Sequence, residues 1–139
     1  MRKVSILAAG FLFIAIASKA QCGVKTTWIA SKTEVVNSSG DVQNKPGTVT
    51  VTTDEENISV VAADRDEELT GSITDYVCNW KDTANGTISF KSEISDKQGK
   101  IRHATITIEA KDGKTTIWME AVEEETKLRL PIDNYTVAK

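Results

Sequence analysis

Period-two alternation runs through most of the chain after residue 47 and constrains the fold more than any other feature. "TVTVT" at 48–52 sets Val49 and Val51 against Thr50 and Thr52, and "ISVVAA" at 58–63 puts Ile58, Val60 and Ala62 on one side. "TISFKSEIS" at 87–95 alternates Ile88, Phe90, Ser92 and Ile94 with Ser89, Lys91 and Glu93. "HATITIEA" at 103–110 sets Ala104, Ile106, Ile108 and Ala110 against Thr105, Thr107 and Glu109. "TTIWMEA" and "KLRLPI" repeat the pattern, with Leu128, Leu130 and Ile132 sharing a face. Successive strand side chains point to opposite sides, so this is the pattern of strands with one face buried.

The connectors carry turn chemistry. Asn85-Gly86, Asp96-Lys97-Gln98-Gly99 and Lys111-Asp112-Gly113-Lys114 suit hairpins, "TDEEN" at 53–57 is of hairpin length, and Lys45-Pro46-Gly47 ends a loop. Strands joined by short polar turns, without crossover helices, predict an all-β antiparallel meander. Eight strands are expected, at 26–36, 48–53, 57–63, 69–80, 86–95, 100–111, 114–122 and 126–132. Such a meander closes into an up-and-down, lipocalin-like barrel or folds over as a sandwich. Closure removes exposed edges, and the regular hairpin order favours it. "PIDNYTVAK" is expected to add a short helical turn or a tail after Pro131.

Ahead of the meander, Arg2 and Lys3 precede an apolar stretch from Val4 to Ala17, and Ser18-Lys19-Ala20 places small residues before a cut. That is the layout of a signal peptide over 1–20, cleaved near Ala20, and it leaves a single β domain over 21–139. The apolar stretch is shorter than the roughly 20 residues of a membrane anchor, and the mature chain holds no other run able to span a bilayer. Removing Arg2, Lys3 and Lys19 moves the net charge from −3 to −6, an acidic balance that disfavours nucleic acid as a partner. Cys22 and Cys78 remain. In an exported chain an even count favours a disulfide, whose long loop is worth about 4 kcal/mol in the loop-entropy model. Cys78 also fits a buried thiol in strand sequence, and Cys22 a lipid anchor, although Gln21 stands where a small residue is required.

Catalytic chemistry finds little to build on. His103 is the only histidine, at the head of a strand and with no serine or cysteine nucleophile motif for it to serve. "DGKTT" at 112–116 imitates the end of a phosphate loop, but Ile108 occupies the upstream glycine position. One histidine and two distant cysteines cannot supply a zinc set, and no cofactor is indicated. Asp64, Asp66 and Glu68 have the alternate spacing of half a calcium loop, and Asp54, Glu55 and Glu56 in the neighbouring connection are possible further ligands. Leu69 and Asp75 stand where that loop needs its glycine and its bidentate glutamate, so a charged hairpin turn is the preferred reading. Among the acidic residues no pair singles itself out for glycoside hydrolysis. The aromatics Trp28, Tyr76, Trp80 and Trp118 are candidates to line a ligand cavity or to pack the core, with Tyr76, Cys78 and Trp80 on one strand face. Asn37, Asn57, Asn85 and Asn134 head N-x-S/T sequons, and Asp82-Thr83-Ala84 matches a short O-glycosylation acceptor, with Thr83 as the modified residue.

The ending "SKAQ" and the meander "TVTVTTDEENISV … GTISFKSEISDKQGKIRHATITIEAKDGKTTIWMEA … RLPID" resemble the small exported β-rich proteins of Bacteroidota whose function is uncharacterised. The resemblance implies an envelope or extracellular location and a β fold, and assigns no functional residue. The expectation is an exported, non-enzymatic binding or accessory protein of the cell envelope, with a small apolar ligand inside a barrel or an envelope protein as partner. A hollow interior would show as small inward residues, for which Ala62, Ser92, Ala104 and Ala110 qualify. The alternatives are a structural or interaction protein with a filled core, and an enzyme working with carboxylates alone.

Overall fold

The computed structural model describes residues 22–82 and 84–138; the proposed signal peptide and Thr83 lie outside them. Eight strands, β1 (Thr26–Val36), β2 (Val42–Thr53), β3 (Asn57–Ala62), β4 (Glu67–Trp80), β5 (Gly86–Ser95), β6 (Ile101–Lys111), β7 (Lys114–Ala121) and β8 (Lys127–Val137), follow one another around a closed antiparallel barrel. β1 closes the circle by pairing with both β2 and β8. The barrel, not the sandwich, is therefore the fold.

Two elements are longer than the sequence pattern predicts. β2 begins at Val42, so Lys45-Pro46-Gly47 lies within a strand. Proline is tolerated there because the register between β1 and β2 slips beside it, between Ala30 and Lys32. Gly47 adopts a φ of +131°, and a Cβ there would meet Asp64 Oδ2 at 3.0 Å, so this irregular backbone needs glycine. At the other end of the chain, Pro131 pairs opposite Thr116 and the strand runs on to Val137, so the expected helical turn or tail is replaced by strand. Cross-strand pairing of Asn134, Tyr135, Thr136 and Val137 with β1 overrides the weak local pattern.

The turns are held largely by aspartate or asparagine at their first position. Asp54 Oδ1 accepts the N–H groups of Glu56 and Asn57, Asp96 Oδ1 those of Gln98 and Lys100, and Asn37 Oδ1 those of Ser39 and Asp41. Asp112 and Gly113, both at positive φ, make the expected two-residue hairpin between β6 and β7. Asn85-Gly86 does not form such a hairpin. The β4–β5 connection spans 81–85, is organised by Asp82 Oδ1 accepting from Ala84 and Asn85, and hands Gly86 to β5. A Cβ at Gly86 would stand 2.6 Å from the Trp80 ring, so the glycine makes room for the indole.

Inside the barrel the alternation becomes the core. Trp28, Val51, Phe90, Ile106, Ile108, Ile117 and Leu130 are almost wholly buried, each contributing about 1.5–3 kcal/mol or more of burial free energy. Thr50, Thr52, Lys91, Glu93, Thr105 and Glu109 alternate with inward neighbours and lie outside. Apolar inside and polar outside is the reverse of what a bilayer selects in a membrane-spanning barrel. Among the described residues no helix is long and apolar enough to cross a membrane.

Candidate functional site

The meander sorts the connections between two ends. The turns at 54–56, 81–85 and 112–113, with the chain start and Ala138, lie at one end; those at 37–41, 63–66, 96–100 and 122–126 lie at the other.

The first end is closed by aromatic residues. β4 carries a bulge at Thr74–Asp75, where the register to β5 slips and Asp75 adopts a φ of +54°. One extra residue restores the parity, so Leu69, Gly71 and Ile73 before it and Tyr76, Cys78 and Trp80 after it all face inward. The rings of Trp28 and Trp80 lie 6.1 Å apart, those of Trp28 and Tyr135 4.9 Å, and those of Tyr76 and Phe90 6.3 Å. The Trp28 indole N–H donates to Thr53 Oγ1 at 3.0 Å, which satisfies its polar atom in the core. Cys22 and Cys78 form a disulfide across this end, with a Cα–Cα distance of 5.7 Å, and the Gly23 N–H donates to the Tyr76 hydroxyl at 3.0 Å. The disulfide decides against a free buried thiol at Cys78 and occupies the sulfur that a lipid anchor on Cys22 would use. Burial pushes the Tyr76 hydroxyl above its ordinary pKa.

The aromatic residues considered for a cavity or for the core are thus divided. Trp28, Tyr76 and Trp80 come together, but as the plug of the closed end; none of them lines the barrel's cavity. Trp118 is on the outer face of β7 with the Arg129 guanidinium 5.2 Å from its ring centre, and Arg129 donates to Glu34 at 2.6 Å. That bond holds the Glu34 carboxyl below the usual range. Trp118 faces the wrong side of the sheet for a cavity because it alternates with the inward Ile117 and Met119.

At the other end the barrel is open. A cavity of about 630 Å³ enters it, with Val35, Leu69, Ile94, Ala104, Met119, Ala121 and Leu128 among its walls. Its volume is in the range of small-molecule sites, about 300–1,000 Å³. The space exists because side chains here are small where strands oppose: Ala104 pairs directly with Ala121, and Ser92 with Ala104. Ala104 lines the cavity, whereas Ala62, Ser92 and Ala110, the other members of the small inward set, are buried and not among its lining residues.

Charged side chains rim the mouth, and they pair with one another. Lys97 Nζ is 2.7 Å from Asp66, Arg102 bonds Glu124 at 3.0 Å and stands 3.9 Å from Asp96, Arg65 is 3.8 Å from Glu67, and Lys127 is 3.4 Å from Glu120. The bond with Lys97 lowers the Asp66 pKa and raises that of Lys97. Asp66 is one of the three carboxylates considered for calcium, with Asp64 and Glu68, and the structure disperses them. Asp64 Oδ2 turns to Gly47 and accepts the Thr48 N–H at 3.4 Å, Asp66 holds Lys97, and Glu68 points outward opposite Val61. Asp54, Glu55 and Glu56 sit at the opposite end of β3 and cannot join them. No group of three or more metal-ligating side chains occurs among the described residues.

His103 has more company than its sequence position indicated. Register pairing sets Glu93 directly opposite it, with Nε2 3.4 Å from the carboxylate, and Glu123 approaches from the 122–126 turn at 2.6 Å from Nδ1. Glu123 also accepts the His103 N–H at 2.8 Å, so one carboxylate fastens this turn to β6 beside the mouth. The Glu123 bond, with Glu93 adding to it, raises the His103 pKa; the same bond drives Glu123 down to about 2. The trio is exposed on the outer face. The short 96–100 turn foreshadowed the opposition of Glu93 and His103, but nothing local marked Glu123 as a partner. Of the sequons, Asn37 and Asn85 lie in turns, Asn57 opens β3 and Asn134 is in β8.

Comparison with protein-family models, with curated proteins and with solved structures yields no significant match to this chain.

Proposed function

We propose that this chain is an exported, non-enzymatic binding protein that holds a small ligand with an apolar body in the open end of its barrel. The observation that carries the reading is the asymmetry of the interior: aromatic rings fill one end, and a space of about 630 Å³ enters the other, with Val35, Leu69, Ile94, Met119 and Leu128 among its walls and charged side chains around them. Filling that space would bury apolar surface at about 25 cal/mol per Å², the usual source of affinity in such pockets. Export is supported by the N-terminal leader pattern and by the Cys22–Cys78 bridge, a linkage characteristic of oxidising compartments. Binding is preferred to catalysis because the cavity's carboxylates are engaged by cations or, at Glu68, directed outward.

Native mass spectrometry of the protein, recovered after export, tests this. A small molecule bound one to one and released on unfolding is the expected result. A bare protein from several hosts that also fails to take up an uncharged apolar dye would replace the reading with that of a structural or interaction protein.

A further inference from the structure

Charge is spread unevenly over the outside of the barrel. The register aligns Thr136, Thr27, Thr52, Ser59, Thr70 and Ser95 in one row across β8, β1, β2, β3, β4 and β5. Their chain neighbours Trp28, Val51, Ile58 and Ile94 are buried, so the row faces outward. Asn134, Ile29, Thr50 and Val61 extend the face towards the open end, and Asn57 and Ser72 towards the closed one. None of these residues is charged, in a chain that is 27% charged. Charge returns at the border, with Glu68 opposite Val61 and Glu93 opposite Ser72. The far wall is different: Lys91, His103, Glu109 and Glu120 face outward there.

A groove of about 580 Å³ lies in the uncharged face. Its lining is hydroxyl or amide at Thr52, Asn57, Ser59, Thr70, Ser72 and Ser95; one cation, Lys25, and two carboxylates, Asp54 and Glu93, complete its polar side chains. Asp54 is turned to the N–H groups of Glu56 and Asn57, and Glu93 stands 3.4 Å from His103. Among the described residues the hydroxyls of Thr52, Ser59, Thr70 and Ser72 make no hydrogen bond to the protein and are open to a ligand.

That chemistry selects among partners. Nucleic acid requires several cations, and one lysine does not supply them. Protein interfaces centre on aromatic, methionine or arginine side chains and are poor in serine; no such anchor lines this groove. The lining suits an uncharged molecule that is itself hydroxylated along its length. Each serine or threonine hydroxyl both donates and accepts, and the strands set these groups about 4.8 Å apart.

We propose that this face binds an uncharged polysaccharide, laid across the strands along the row from Thr52 to Ser95. Its hydroxyls exchange hydrogen bonds with the row and with Asn57, and the methyl groups of Thr52 and Thr70 meet the C–H groups of its rings. The groove is on the outer wall, so this binding is independent of any ligand in the cavity.

Native electrophoresis of the protein through gels cast with a neutral polymer (galactomannan, mixed-linkage β-glucan or soluble starch), or with anionic alginate, provides the test. At least one neutral polymer is expected to retard the protein, and alginate to leave it unretarded. The double substitution Ser59→Ala with Thr70→Val should weaken the retarding polymer about tenfold at an unchanged melting temperature. Ser89→Ala with Thr107→Val, on the far wall, should change nothing. No retardation by any neutral polymer, stronger retardation by alginate, or indifference to the Ser59 and Thr70 substitutions would overturn the proposal. Sedimentation velocity should show a monomer; a dimer that Ser59→Lys dissociates would give the face to a second copy instead.

Discussion

At the scale of single residues, the informative side chains are those whose partners lie far away in sequence. His103 looks isolated in the chain, yet register and a turn bring two carboxylates to it. Its raised pKa means that its contribution to stability is complete below the ordinary value of 6.5 and fades as pH climbs through the raised one. Glu123, lowered from 4.5 to about 2, contributes fully above 4.5 and loses its effect as pH falls toward 2. The fastening of the 122–126 turn is therefore complete between about 4.5 and 6.5. An NMR titration of His103 should give a pKa above 6.5, and Glu123→Gln should move it back toward that value; an unshifted wild-type histidine would contradict the pairing. Calcium belongs to this scale too. With Asp64, Asp66 and Glu68 turned to three different tasks, added calcium is expected to leave the melting temperature unchanged, and a clear rise would show that they regroup.

At the scale of elements, most of the architecture was legible because a period of two repeats over long, half-buried strands, and polar turns mark their ends. The legible part failed where local pattern and pairing part company. Pro46 and Gly47 look like a loop but sit in β2, since the slip in register absorbs both the missing N–H and the positive φ. Asn134 to Val137 carry little strand signal and are strand because β1 needs a partner to close the circle. The bulge at Asp75 was equally silent in the sequence, and it decides which face Tyr76, Cys78 and Trp80 occupy. Deleting Asp75 should turn these residues outward or break the pairing with β5. Loss of the disulfide by mass, with red-shifted tryptophan emission, is the expected outcome; a deletion that keeps both would contradict the role of the bulge. The disulfide fastens the segment before β1 to β4 across a sequence separation of 56. Replacing Cys22 and Cys78 together by serine should cost about 2–4 kcal/mol in urea unfolding, and a loss near zero would mean the bridge adds nothing to the closed end.

For the whole molecule, the interior was the least legible part. Strand periodicity marks which residues point inward, but the space they leave depends on which strands face one another and how they register. Of the aromatics considered for a cavity or the core, Trp28, Tyr76 and Trp80 face inward but fill the end that has no room, and Trp118 lies on the outer face. The opening is lined by small pairs such as Ala104 with Ala121, whose opposition follows from the register of β6 and β7. The account's central claim is that one end of this barrel is packed and the other hollow and able to take a ligand. Methyl NMR during titration with dodecanol tests it most directly. Shifts confined to Leu69, Ile94, Met119 and Leu128, with Val51, Ile106, Ile108 and Ile117 unmoved, are the predicted result. Shifts at the closed end or on the outer face, or none at all, would contradict it.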